Sequence, residues 1–278
     1  MGELGAAWRV VRAGWTKNWR LSTTYPSWVL NRLLGPLVWV ALAVYSYTGL
    51  AGPERVQQAF VDAGEGASFT GFLILGQTLF AFFTGINWRG GMAIQRERWQ
   101  GTLEMVLLAP TSRVAFVLGE SLFGLLDSGW TVFLAMVLAM LLFGVQFHVA
   151  HPEAVVLAVG LTLLAMVALG LFFAGFYVLT RAAGPLSQAV QAPVGFLAGV
   201  QFPVQALPGA LQAVSYALPV TFGLAAVRGA VLQGQGLDGQ GPALLALVAM
   251  SVVFAAAGAV LIRRMEARAK REGTIHAY

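Results

Sequence analysis

Apolar residues occur in six long runs that short polar segments separate. The runs cover 28–51, 69–88, 114–143, 153–179, 189–206 and 242–262. A helix needs about 20 predominantly apolar residues to cross the hydrocarbon core of a bilayer. The pattern therefore predicts an all-α polytopic membrane protein whose single domain, residues 1–278, contains six transmembrane helices.

Composition agrees with lipid as the solvent. The chain is 58% hydrophobic and 10% charged, with a mean hydropathy of +0.74, whereas soluble domains carry about 25% charged residues. If the N-terminus starts in the cytoplasm, only Arg55 and Arg228 of the 17 Lys and Arg residues fall on the outer side. Since basic residues collect in cytoplasmic loops, we expect a cytoplasmic (inner) membrane protein with both termini in the cytoplasm. The basic residues then set the orientation of the protein in the membrane, and no nucleic-acid partner is expected.

The segment 1–24 has the pattern of an amphipathic helix. Leu4, Trp8, Val11, Trp15 and Trp19 recur at spacings of three and four, which places them on one helical face. The cations lie away from this face: Arg9, Arg12, Lys17 and Arg20. The pattern predicts a helix in the membrane interface, in contact with lipid. A helix packed on another protein domain is the alternative.

The segment 207–229 is apolar but broken. Pro208 and Pro219 interrupt it together with several glycines, and a lipid-exposed break would leave backbone groups without hydrogen bonds. A seventh full span would also move the basic C-terminus outside. We therefore expect two short helices that enter the membrane from the outer face and return.

The chain lacks the residues for bond chemistry. It has no cysteine and no G-x-x-x-x-G-K-[ST] phosphate loop, and no catalytic or metal site is predicted. A membrane-embedded enzyme would need a polar cluster at one depth. An ion-coupled transporter would need repeated halves with intramembrane charges, and the sequence shows neither pattern.

One carboxylate is predicted deep in the membrane. Asp127 follows Arg113 by fourteen residues, about 20 Å along a helix, so it must face protein or water. A structural contact within the bundle is favoured over a proton relay, which would need more ionisable groups at that depth. Together with Asp127, aromatic side chains are candidates for a transport route, with plain packing as the alternative: Phe80, Phe82, Phe83, Phe196 and Phe202.

The polar loop 96–110, between the second and third runs, predicts a short helix over 102–108. Thr102 can cap its start, and Pro110 ends it soon after. Leu103, Val106 and Leu107 share one face of this helix. It could seat in a groove on a partner or rest on lipid headgroups.

Three motifs resemble those of the type-2 ABC exporter permeases. Residues 96–104 and 107–113 are similar to the family signature E-R-x-x-G-T-[LM]-E-x-L…[TA]-P-x-[SR]. Residues 199–208 resemble G-x-x-F-P-[VI]-x-x-L-P, and 218–221 with Arg228 resemble L-P-[LV]-[TS]…R. The order and spacing of the motifs agree over nearly the whole chain. Glu120 is a departure, because relatives often carry Lys or Arg there, although others carry Glu.

The resemblance implies a concrete assembly. Such permeases pair, as a homodimer or with a homologous permease, and bind two cytoplasmic ABC ATPase subunits that hold ATP and Mg. The loop would be the coupling helix that contacts the ATPase, through Glu97, Gly101, Thr102, Leu103, Glu104, Val106 and Leu107. The external re-entrant motif would comprise Phe202, Pro203, Leu207, Pro208, Pro219 and Arg228.

The function that the resemblance implies is ATP-driven export of a hydrophobic or amphipathic compound, drug-like or lipid-like. The permease chain itself would bind no cofactor. Export of a lipid-linked glycan or oligosaccharide is the alternative.

Overall fold

The protein is a bundle of helices. The computed structural model describes residues 16, 26–62, 68–108, 112–145, 147–178 and 183–272, and these contain no strand. The helices are α1 (Pro26–Ala51), α2 (Pro53–Asp62), α3 (Phe69–Ile86), α4 (Ala93–Trp99), α5 (Leu103–Leu108), α6 (Arg113–Phe143), α7 (Pro152–Val178), α8 (Ala183–Leu197), α9 (Gly209–Ser215), α10 (Pro219–Leu232) and α11 (Leu237–Glu272). A π-helix, Asn87–Gly91, continues α3, and a 3-10 turn, Val204–Ala206, precedes α9. The predicted amphipathic helix 1–24 lies outside the described residues apart from Thr16.

Among the described residues, four helices are long and apolar enough to cross a membrane. They are Phe69–Gly91, which combines α3 with the π-helix, then Arg113–Phe143, Pro152–Val178 and Leu237–Ala267. The described residues give a fifth if the bent pair α9 and α10 counts as one broken span. The predicted all-α polytopic architecture is confirmed.

The first and fifth predicted spans correspond to less regular helices. α1 has 26 residues, and its described apolar part is Leu37–Ala51. α8 covers Ala183–Leu197, only 15 residues, whereas the sequence predicted a span over 189–206. Fifteen residues rise about 22 Å, less than the roughly 30 Å hydrocarbon core. The chain turns after α8 at Gly199, whose φ is +81°, and the apolar run continues through the turn.

The helices pack around α7, which lies along α11 and also contacts α10 and the π-helix. At the crossing of α7 and α11 the backbones approach closely, because a Cβ on Gly258 would meet the backbone of Leu171 and Phe172 at 2.6 Å. Small residues allow such approaches between membrane helices. Large side chains from four helices fill the core nearby: Leu79, Phe83, Leu169, Leu224 and Leu247.

The outward face of the bundle is apolar. On α6 the exposed side chains include Leu126, Trp130, Phe133 and Leu141. An apolar exposed face with a packed interior is expected where lipid replaces water around the protein.

Candidate functional site

The loop between α3 and α6 is held in a defined shape. α4 ends at Trp99, and Gly101 turns the chain with a φ of +70°, a value that favours glycine. The Thr102 hydroxyl donates to the carboxylate of Glu97, and the Thr102 N–H donates to the Glu97 carbonyl at 2.9 Å. Glu97 is 3% exposed. These contacts join α4 to the start of α5; in them Thr102 donates to Glu97, and the predicted cap, in which its hydroxyl would accept from the first turn of α5, stays a prediction.

The exposed face of α5 differs from the expected one. Leu103 is buried in an apolar cluster with Ile94 of α4, Val117 of α6 and Ile262 of α11. It therefore attaches α5 to the bundle and is not available to a partner in this conformation, and the buried Glu97 is also not at a rim. Val106 is half-buried, whereas Met105 is 73% exposed.

Two other residues of the predicted docking face, Glu104 and Leu107, belong to α5, but their side chains lie outside the described ones. The exposed apolar surface that the structure does show beside α5 includes Trp99, at the end of α4, in addition to Met105.

Two ion pairs tie the loop and the π-helix to α6. Arg89 Nη2 lies 3.0 Å from Asp127 Oδ2, and the side chains are 13% and 7% exposed. Arg96 of α4 pairs with Glu120, whose side chain is 4% exposed. The carboxylates lie seven residues apart on one face of α6, so this face receives both guanidinium groups.

The structure places Arg89 in the membrane-spanning helix, whereas the sequence placed it in the loop after the span. The second run ends at residue 88, and the loop was expected to begin beside it. The helix instead continues through the π-helix to Gly91, so that Arg89 is part of the span and faces α6. Asp127 therefore contacts the π-helix within the bundle, and the choice between a structural contact and a proton relay stays a prediction.

A buried hydrogen-bond network crosses the same end of the bundle. Tyr177 of α7 donates to Asn87 Oδ1 at 3.1 Å, and Asn87 Nδ2 donates to Ser187 of α8 at 2.9 Å. Gln191, one turn further along α8, donates to Ser187 Oγ at 3.3 Å. Helices α7 and α8 thus meet at the π-helix, and π-bulges occur frequently at functional sites.

Arg228 organises the opposite end of the bundle. Its guanidinium donates to the carbonyls of Gly199 at 2.8 Å, Phe72 at 3.0 Å and Val200 at 3.2 Å. The group also lies over the Phe72 ring, 3.2 Å from the centroid. Arg228 is 3% exposed, and Gly76 leaves room for it, because a Cβ there would meet Arg228 Nη2 at 2.7 Å. One side chain of α10 therefore fixes the turn after α8 to the start of α3.

Side chains satisfy other carbonyls of the broken segment after α8. The Thr221 hydroxyl donates to the Ser215 carbonyl at 2.6 Å, and Gln212 Nε2 donates to the Leu207 carbonyl at 2.8 Å. Pro208 precedes α9, Pro219 begins α10, and the two helices are bent by 86°. Irregular backbone within a membrane requires such internal donors.

The chain also matches a known family. A model described as ABC-2 type transporter matches residues 9–232. The chain belongs to the ABC-2 type transporter family. It is a multi-pass membrane protein and a permease subunit of an ABC transporter, a component that is generally non-catalytic. The ABC-2 match includes the loop, the broken segment and Arg228. A search of curated proteins finds no match.

The aromatic residues proposed for a route occupy different environments in this ABC-2 permease. Phe83 is 2% exposed and lies in the core, and Phe80 stacks on it with centroids 5.9 Å apart. Phe82 is half-buried and packs against the same core. Phe196 is 53% exposed, and its ring meets that of Phe202 at 4.7 Å. Phe196 is thus the most accessible of the five side chains.

Two further motif residues flank the 3-10 turn that follows Phe202. Pro203 starts the 3-10 turn, and Leu207 ends it as a buried residue. Sequence reasoning did not identify Arg89, Asn87, Tyr177 and Ser187 as site residues. A usable signal was present for Arg89, because it and Asp127 are opposite charges on adjacent spans.

Proposed function

We propose that the chain is the membrane-spanning subunit of an ATP-driven exporter that moves a hydrophobic or amphipathic compound. The proposal rests on the shape of the loop between α3 and α6 in a chain that belongs to the ABC-2 type transporter family. The loop presents Met105 outward while Leu103, Glu97 and Arg96 attach it to the bundle. A partner that pushes on α5 would therefore move α6 with it.

The partner we propose is a cytoplasmic ABC ATPase, present in two copies, which binds ATP and Mg. The permease would pair with a second copy or with a homologous permease. The exposed face of α8 supports pairing, because it combines the polar Gln188 with the small Ala189 and Ala192 and with Phe196. Polar and small residues on an outward face favour helix–helix contact over contact with lipid.

The test of this function is Met105→Asp. A buried Met side chain contributes about 1.5–3 kcal/mol to an interface, and a carboxylate in an apolar groove adds a desolvation cost. We expect co-purification of the ATPase subunit to fall about tenfold or more and export to fall with it. The chain should still fold, because Met105 is exposed in the isolated subunit.

Met105→Leu keeps the apolar surface and is the matched control, and Val149→Asp places the same charge in the exposed segment between α6 and α7. Both should retain the ATPase. Wild-type association and export in Met105→Asp would show that α5 does not dock.

The orientation we propose places both termini and the loop in the cytoplasm, in the cytoplasmic membrane. The chain contains no cysteine, so single cysteines can report it. We expect an impermeant maleimide added to intact cells to label Val149→Cys and to leave Gln100→Cys unlabelled until the cells are opened. Both positions are exposed in the structure, and the reverse labelling pattern would refute this orientation.

A further inference from the structure

Two exposed arginines follow the exposed apolar face of α11. Along this helix Val253, Ala256 and Val260 are exposed, and their spacings of three and four place them on one face. Arg263 and Arg264 follow Val260 by three and four residues, and both are exposed. Residues 253–260 contain no polar side chain, so this face suits contact with lipid and leads directly to the two guanidinium groups.

The position of the arginines along α11 matches the phosphate layer of a membrane. The apolar run 242–262 precedes them and rises about 31 Å in a helix, which fills a hydrocarbon core of about 30 Å. Arg263 and Arg264 then lie just beyond the hydrocarbon, at the level of the lipid headgroups. Arginine suits this level, because its planar guanidinium binds a phosphate through two parallel hydrogen bonds.

These two arginines differ from others at the same end of the bundle. Arg89 and Arg96 form ion pairs with carboxylates of α6, and Arg113 is 6% exposed. In the part of the chain that the structure describes, no carboxylate pairs with Arg263 or Arg264. Two adjacent positive charges are therefore available to an anion from outside the protein.

The opposite side of the same helical turn packs on the loop. Ile262 and Met265 are buried, and both belong to the apolar cluster that contains Leu103 of α5 and Ile94 of α4. One turn of α11 therefore presents its cations outward and holds the loop with its apolar side chains.

We propose that Arg263 and Arg264 bind the headgroups of anionic phospholipids, and that this contact holds the end of α11 against α5. An anionic headgroup fits better than a zwitterionic one, because a zwitterionic lipid carries a positive amine beside its phosphate. The face leads from lipid to the phosphate level, which favours a lipid over the ATPase as the occupant. The site requires neither the ATPase nor an export direction, so it can be tested whether or not the proposed export holds.

Native mass spectrometry of the purified full-length chain tests the site. The chain is released from nanodiscs that contain equal amounts of phosphatidylglycerol and phosphatidylcholine, and the lipids that stay bound are identified. We expect wild type to retain phosphatidylglycerol preferentially. Arg264→Gln should lower this preference about fivefold, and Arg263→Gln with Arg264→Gln about tenfold or more, because each arginine near an anionic surface contributes a factor of about five.

The matched control is Arg55→Gln, the same change at an exposed arginine of α2. Two carboxylates on that helix, Glu54 and Asp62, outnumber its single arginine, so the lipid preference should stay that of wild type. Arg263→Lys with Arg264→Lys keeps both charges and should retain most of the preference.

Hydrogen exchange tests the link to the loop and checks the fold. Amides of 102–108 and 260–267 in wild type should exchange more slowly in phosphatidylglycerol nanodiscs than in phosphatidylcholine nanodiscs. The double glutamine variant should exchange alike in both lipids and keep wild-type protection in the core of α7, which shows that it folds. An equal lipid preference in wild type and the double glutamine variant would overturn the proposal. Loss of the co-purified ATPase with unchanged lipid preference would likewise overturn it and assign the arginines to the partner protein.

Discussion

Replacing Arg228 with methionine is expected to destabilise the permease by about 3 kcal/mol or more and to abolish transport. Each hydrogen bond from a charged donor contributes about 1.5–3 kcal/mol, and the Arg228 guanidinium donates to three carbonyls. The carbonyls of Gly199 and Val200 lie in the turn outside the helices, where helical backbone cannot replace the lost donor. Thermal unfolding of the purified protein and export in cells measure the two effects.

The matched variants separate charge from geometry. Arg228→Lys keeps the charge but loses the planar fork that reaches several carbonyls, so we expect a loss of stability between those of wild type and Arg228→Met. Arg55→Met removes the other arginine predicted on the outer side, which is exposed on α2, and should leave stability within about 0.5 kcal/mol. Wild-type stability in Arg228→Met would show that these contacts contribute little to the fold.

Hydropathy located most of the helices, since a span must satisfy its own backbone and also face lipid. The predicted runs 114–143 and 153–179 agree with α6 and α7 within one residue at each end. Prolines set the starts of α9 and α10, because proline fits the first turn of a helix and disrupts its interior. These features depend on local sequence alone.

The end of α8 shows where local sequence is insufficient. The predicted span continues to residue 206, but the backbone turns at Gly199, where Arg228, twenty-nine residues later, supplies donors to the turn. Hydropathy contains no information about a donor on another helix. The run therefore predicted a longer helix than the one that forms.

Local sequence is also insufficient to predict which face of α5 is exposed for binding. Leu103, Val106 and Leu107 share a helical face, and periodicity cannot tell whether a partner or the chain itself covers it. The core residues Val117 and Ile262 cover Leu103, and they are distant in sequence. Glu120, which the resemblance marks as a departure, has its own partner in Arg96 and is thus accommodated within the chain.

The buried pair Arg89 and Asp127 has the second large expected effect. Asp127→Leu alone leaves the Arg89 guanidinium in the bundle without the carboxylate 3.0 Å away. Removing one partner of a buried pair costs about 3–5 kcal/mol, so we expect this variant to unfold at a lower temperature and to accumulate poorly. Arg89→Met alone should have a similar effect, because it leaves the carboxylate in the same apolar surroundings.

The double variant Arg89→Met with Asp127→Leu is expected to recover most of this stability, since apolar side chains can replace a buried pair at little cost. The coupling energy from the four proteins should be about 2 kcal/mol or more, whereas Arg96→Met with Glu120→Leu should give less, because Arg96 is more exposed. We also expect the double variant to export less than wild type even though its stability recovers, because the π-helix then lacks its ion pair with α6. Additive losses of stability would contradict the structural role of the pair. Stable single Asp127 variants that abolish export would instead support the proton relay.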